Sequence, residues 1–131
     1  MNRYKDWFEQ GLRDFERAKL DLMFSYYEWA CFTSQQATEK VVKALGMKLG
    51  LDLWGHSIFN MLKTITREKK LSVPEEIIEN AKLLDKFYIP TRYPNGFPMG
   101  KPADFYSKNN AYEAIDAADS IIRFCKSFIC E

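Results

Sequence analysis

The chain is 131 residues long, 47% apolar and 15% aromatic, with 6 Gly and 5 Pro, a composition that excludes disordered and collagen-like chains and fits one domain with its own core. With 19 basic and 18 acidic residues the formal net charge is +1, so no overall field holds a nucleic acid by counterion release and any phosphate site has to be a local patch. Cys31, Cys125 and Cys130 form no Cys-x-x-Cys pair and read as reduced core thiols of a cytoplasmic protein; the charged, aromatic N-terminus and the lack of any apolar run of about eighteen residues predict neither export nor membrane spanning.

The first helix is expected over about residues 2–26, because Tyr4, Trp7, Phe8, Leu12, Phe15, Ala18 and Leu22 recur at helical spacing while Arg13, Asp14, Arg17 and Lys19 take the other side. A break near Tyr26 and Tyr27 leads to a second helix, about 28–49, ended by Gly50. Its apolar arc gathers Ala30, Ser34, Ala37, Val41, Ala44, Leu45 and Leu49, and the small side chains invite close approach of a neighbouring helix. A short third helix should follow Gly55-His56-Ser57, with Ile58, Met61, Leu62 and Ile65 inward and Ser57 or His56 capping its first amides. Ser72-Val73-Pro74-Glu75 reads as a capping box opening a fourth helix with Ile77, Ala81, Leu84 and Tyr88, stopped by Pro90. Residues 89–108 hold four prolines and two glycines and form a long loop. The last helix, about 110–129, is expected to be capped by Asn110 with Glu113 three residues on. Its two apolar seams, Ala111-Ile115-Ala118-Ile122-Cys125-Ile129 and Ala114-Ala117-Ile121-Phe124-Phe128, imply packing on two sides, in the bundle centre or against another subunit. The expected architecture is all-α: an up-and-down helical bundle of about five helices in one domain, 1–131, with a long loop before the last helix.

Chemistry-bearing patterns are few. His56 is the single histidine, with no Glu-x-x-His or His-x-x-x-His pair, so no metal site and no catalytic set is expected, and no Gly-rich phosphate loop occurs that would hold a cofactor. Opposite its alanines the second helix collects Gln35, Gln36, Glu39, Lys40 and Lys43, with Phe32 and Met47 among them. That arc is either a solvated face, a partner contact or a partly buried polar network. The loop sets Lys86, Arg92, Lys101 and Lys108 against Asp104 alone, interleaved with Phe87, Tyr88, Tyr93, Phe97, Phe105 and Tyr106. This suits base stacking with phosphate contact, or else the aromatics pin the loop to the bundle. If the loop folds back over the second helix, Arg92 is expected to pair with Glu39.

Phe32-Thr33-Ser34-Gln35-Gln36-Ala37-Thr38-Glu39-Lys40 with Lys43-Ala44-Leu45, then Gly55-His56-Ser57, then Tyr88-Ile89-Pro90-Thr91-Arg92-Tyr93-Pro94 and a closing helix together resemble the HEPN domain family, over almost the whole chain. More distantly, the chain resembles the helical substrate-binding domain of aminoglycoside nucleotidyltransferases. The HEPN resemblance implies a helical bundle, frequent homodimers, and small nucleotidyltransferases, nucleotides or RNA as partners. RNA-cutting members carry an arginine four to six residues before a histidine; here the positions four to six before His56 are Asp52, Leu51 and Gly50. The resemblance therefore implies a non-catalytic module binding a nucleotide, a nucleic acid or a small nucleotidyltransferase. The alternatives are a divergent, toxin-like, metal-independent ribonuclease and a purely structural dimeric subunit. Gln36, Glu39, Lys40, Lys43, His56, Arg92 and Tyr93 are the ligand-binding residues it points to.

Overall fold

Apolar residues at three- and four-residue spacing leave each long segment one face to bury, and in the computed structural model, which describes residues 2–89 and 91–131, those faces meet in one helical bundle. Pro90, expected to stop the fourth helix, lies outside the described residues. The helices are α1 (Tyr4–Met23), α2 (Tyr27–Lys48), α3 (Ile58–Lys69), α4 (Glu75–Asp85), the single turn α5 (Pro102–Phe105) and α6 (Lys108–Ile129), with no strand among the described residues. The loop expected before the last helix carries, besides α5, a 3₁₀ turn at Pro94–Gly96.

The central element is α2, which touches α1, α3, α4, α5 and α6. Its small residues do what their size allows. Gly11 of α1 lies so close to α2 that a Cβ there would fall 3.0 Å from the Ala37 carbonyl oxygen and 2.7 Å from Val41 Cγ2. The opposite arc is not a solvated face: Gln35 and Thr38 are fully buried and Glu39 nearly so. The two seams of α6 pack within the chain against α2 and α4, with a smaller contact to α1, and leave only Phe124 and Phe128 partly exposed.

Helix ends correct several expectations. Pro74 itself is the N-cap of α4 and no side chain caps that helix, because Ser72 stands two residues too early to reach its amides. Ser107, not Asn110, caps α6: its hydroxyl accepts from Asn110 N at 3.2 Å, and Asn110 Oδ1 accepts from Ser107 N at 2.9 Å. At the far end of α6, Lys48 of α2 donates to the carbonyls of Phe128 (2.7 Å) and Ile129 (2.9 Å). Cys31 and Cys125 are buried, whereas Cys130, expected in the core, is exposed.

The aromatic loop divides into two halves with different jobs. Phe97 stacks on Phe105 with centroids 4.3 Å apart, and Tyr106 meets Phe87 and Phe97 edge-on; these rings pin the loop to itself and to the bundle. Tyr88 and Arg92 turn instead toward α2 and the start of α3, and Tyr93 lies against Arg92.

Candidate functional site

The site forms where the middle of α2 faces the N-terminus of α3 and the turn after α4. Helical spacing puts Gln35, Glu39 and Lys43 in one row along α2. Glu39 holds two partners: Oε1 lies 3.0 Å from His56 Nδ1, and Oε2 accepts from Lys43 Nζ at 3.3 Å. Gln35 Nε2 donates to the His56 backbone carbonyl at 2.9 Å, and Gln35 Oε1 accepts from Gln36 Nε2 at 2.7 Å. The His56 ring stacks on Tyr88, with centroids 4.6 Å apart and 18° between planes. Its backbone, Nδ1 edge and one face are thus all fixed, while the side chain is still 56% exposed.

This is not the arrangement of a capping histidine. The first amides of α3 go to Ser57 and to Asp85, whose carboxylate accepts from Ile58 N (2.8 Å), Phe59 N (3.1 Å) and the Ser57 hydroxyl (2.8 Å). A carboxylate beside Nδ1 favours the tautomer that carries the proton there, which leaves the Nε2 lone pair free for a ligand. The ring can therefore accept a hydrogen bond from a ligand or, once protonated, donate one to an anion.

Beside Tyr88 lies the second half of the site. The Arg92 guanidinium sits 4.4 Å from the Phe32 ring centroid, 4.9 Å from Tyr88 and 5.0 Å from Tyr93, and Trp29 meets Phe32 edge-on at 6.0 Å. Arg92 Nε donates to the Tyr88 carbonyl at 3.1 Å. The expected Arg92–Glu39 ion pair is not formed: the loop does fold back over α2, but it lands on Phe32, two helical turns before Glu39, whose oxygens His56 and Lys43 already occupy. Lys43 also lies over the Trp7 ring, 5.8 Å from its centroid.

Of the seven residues the sequence pointed to, Glu39, Lys43 and His56 form one hydrogen-bonded unit, with Gln36 joined to it through Gln35. Arg92 joins it through Tyr88, and Tyr93 through Arg92. Lys40 does not: it pairs with Asp14 on α1. Asp85 is the residue missed. Its signal was an acid in the last turn of a helix, where the dipole disfavours a negative charge unless another partner compensates. Among the described residues no group of His, Cys, Asp and Glu is arranged to hold a metal ion, and no helix is long and apolar enough to cross a membrane.

The HEPN domain model matches residues 4–128. Over 97% of this chain and 88% of its own length, a protein of Methanocaldococcus jannaschii named "Putative toxin MJ1304" is 26% identical. Three solved structures are similar throughout. TT1696 from Thermus thermophilus is 42% identical, with a TM-score of 0.92 over 97% of this chain and 98% of that one. ST0689, described as an archaeal HEPN homologue, is 39% identical, with a TM-score of 0.83 over 98% of this chain and 99% of that one. A HEPN domain protein (TM0613) from Thermotoga maritima is 35% identical, with a TM-score of 0.78 over 96% of this chain and 98% of that one.

Proposed function

Because the chain belongs to the HEPN domain family, we propose that it is a non-catalytic member that binds the phosphate-bearing part of a nucleotide or nucleic acid, in the cytoplasm, at the His56 and Arg92 site. The same site serves when a small nucleotidyltransferase presents the nucleotide. One observation carries this reading. A buried carboxylate, Glu39, and a buried amide, Gln35, are spent on orienting a half-exposed imidazole, next to a guanidinium on aromatic rings. Both buried groups are hydrogen-bonded, so their burial is compensated, and what they hold in place is a side chain half open to solvent. Imidazole and guanidinium suit an anion, and the rings suit a base.

Thermal unfolding with a panel of nucleotides and short RNAs tests this. A ligand at about 100 times its dissociation constant adds roughly 2.7 kcal/mol to stability, and the gain should shrink in His56→Ala and Arg92→Ala. If no nucleotide or RNA raises the midpoint of the native protein, the reading fails and a purely structural role takes its place.

A second reading has a specific observation behind it. Glu39 bonded to Nδ1 leaves His56 Nε2 placed as a general base, and a 26%-identical relative carries the name of a toxin. On this reading the protein is a divergent metal-independent ribonuclease. Incubation with structured and unstructured RNA in chelator separates the two: cleavage that disappears in His56→Ala replaces the binding reading, and intact RNA removes the nuclease.

A further inference from the structure

Arg92 is where the site's own geometry departs from an open binding surface. Its guanidinium lies within 5.0 Å of the centroids of three rings, Phe32, Tyr88 and Tyr93. Such a planar cation occupies the kind of place on an aromatic face that a heteroaromatic ring takes when it stacks. Yet it forms no ion pair among the described residues: Glu39 is engaged with Lys43 and His56, and Asp104, the one acid of the loop, with Lys101. Among the described residues its side chain makes one hydrogen bond, Nε to the Tyr88 carbonyl. The backbone there is a turn, Arg92 N donating to Ile89 O at 3.1 Å, and the Arg92 side chain is only partly buried.

We infer that the Phe32, Tyr88 and Tyr93 slot is a ring-binding site closed by Arg92, and that a ligand carrying both a planar ring and an anionic group opens it. The ring replaces the guanidinium on the aromatic faces, and the released guanidinium pairs with the anion. Stacking lost by Arg92 is regained by the ligand ring, so the exchange is near balance for a neutral ring and is driven forward only when an anion gives the arginine a partner. Arg92 thereby selects phosphorylated over unphosphorylated ligands: an occupant that must be displaced lowers apparent affinity by the fraction of molecules in which the slot is open. This inference rests on the nucleotide reading above for its ligand class, but not for the slot itself.

Calorimetric titrations of the native protein, Arg92→Ala and Arg92→Lys with adenosine and with adenosine 5′-monophosphate test it, after circular dichroism and melting confirm that the variants fold. The native protein should prefer the monophosphate by roughly tenfold or more, the worth of one charge-assisted hydrogen bond. In Arg92→Ala adenosine should bind more tightly than in the native protein and the preference for the monophosphate should fall to what His56 alone supplies; Arg92→Lys, a poorer stacker that keeps the charge, should retain the preference. Equal weakening of both ligands in Arg92→Ala would make Arg92 a fixed wall and overturn the inference. A second probe, methylguanidinium, separates the slot from its ligand. At millimolar concentration it should shift the ring resonances of Phe32, Tyr88 and Tyr93 in Arg92→Ala and not in the native protein. If it does so while no nucleotide binds, the slot stands and the nucleotide reading falls; if Arg92→Ala takes up neither adenosine nor methylguanidinium, the slot is no site.

Discussion

Glu39 gives one carboxylate oxygen to His56 and the other to Lys43, and which of the two interactions matters more is measurable. The side chains of Glu39 and Lys43 are 7% and 14% exposed, whereas His56 is 56% exposed, so the lysine is the partner that suffers if the acid is removed. Glu39→Ala leaves a largely buried ammonium without its anion and should cost about 1–3 kcal/mol in urea unfolding, while His56→Ala should cost less than about 1 kcal/mol. A larger loss from His56→Ala would make the histidine structural. The three thiols separate as sharply. Burial pushes Cys31 up to about 12, with Glu113 and Glu28 adding to it, and burial alone pushes Cys125 up to about 12. Only Cys130, exposed at the end of α6, should react with a thiol reagent in the native protein, and all three after denaturation. Because the folded thiols ionise at about 12 and not at the ordinary value of 9.0, their contribution to stability is complete below about pH 9 and is lost as pH rises from there through about 12. Urea midpoints measured across that range should fall.

Elements are tied to one another by end contacts that no single helix requires. Asp85, in the last turn of α4, takes two amides and a hydroxyl from the start of α3, which fixes Ser57 and hence the adjacent His56 against the turn bearing Tyr88. Asp85→Ala should cost about 1–3 kcal/mol and should also broaden the His56 imidazole resonances, because the segment that carries the ring loses its anchor. Loss of stability with an unchanged imidazole signal would confine Asp85 to capping. The α1–α2 contact is set by Gly11, where an added methyl meets the Ala37 backbone and not merely a movable side chain. Gly11→Ala gains helix propensity, about 1 kcal/mol, but forces the helices apart, and overpacking of about 1–3 kcal/mol should win, giving a net loss in thermal unfolding.

For the molecule as a whole, the family resemblance leads to the expectation of a homodimer. Light scattering at tens of micromolar should then give twice the 15.4 kDa chain mass, and a monomer at that concentration would remove it. The α6 seams, read from the sequence as facing either the bundle centre or another subunit, pack on α2 and α4 and leave Phe124 and Phe128 partly exposed. The fold was legible from the chain alone because each long helix carries its burial instruction as periodic apolar residues: Ile58, Met61, Leu62 and Ile65 of α3, and Ala111, Ile115, Ala118, Ile122, Cys125 and Ile129 of α6, are all buried as their spacing requires. Helix caps were legible less well, since the capping pattern slides along the chain without being violated: Ser72 stands two residues before the N-cap Pro74, and Asn110 three residues after the N-cap Ser107. The candidate site was legible only as residue types. Periodicity placed Gln35, Gln36, Glu39, Lys40 and Lys43 on one arc of α2, but an arc does not say which neighbour covers it. Lys40 went to Asp14 of α1, Glu39 to His56 and Lys43, and Arg92 to the rings of Phe32, Tyr88 and Tyr93. Periodicity along one helix is a local property that sequence alone determines; the partner of each polar group is set by the packing of elements far apart in the chain, and only the tertiary structure decided it.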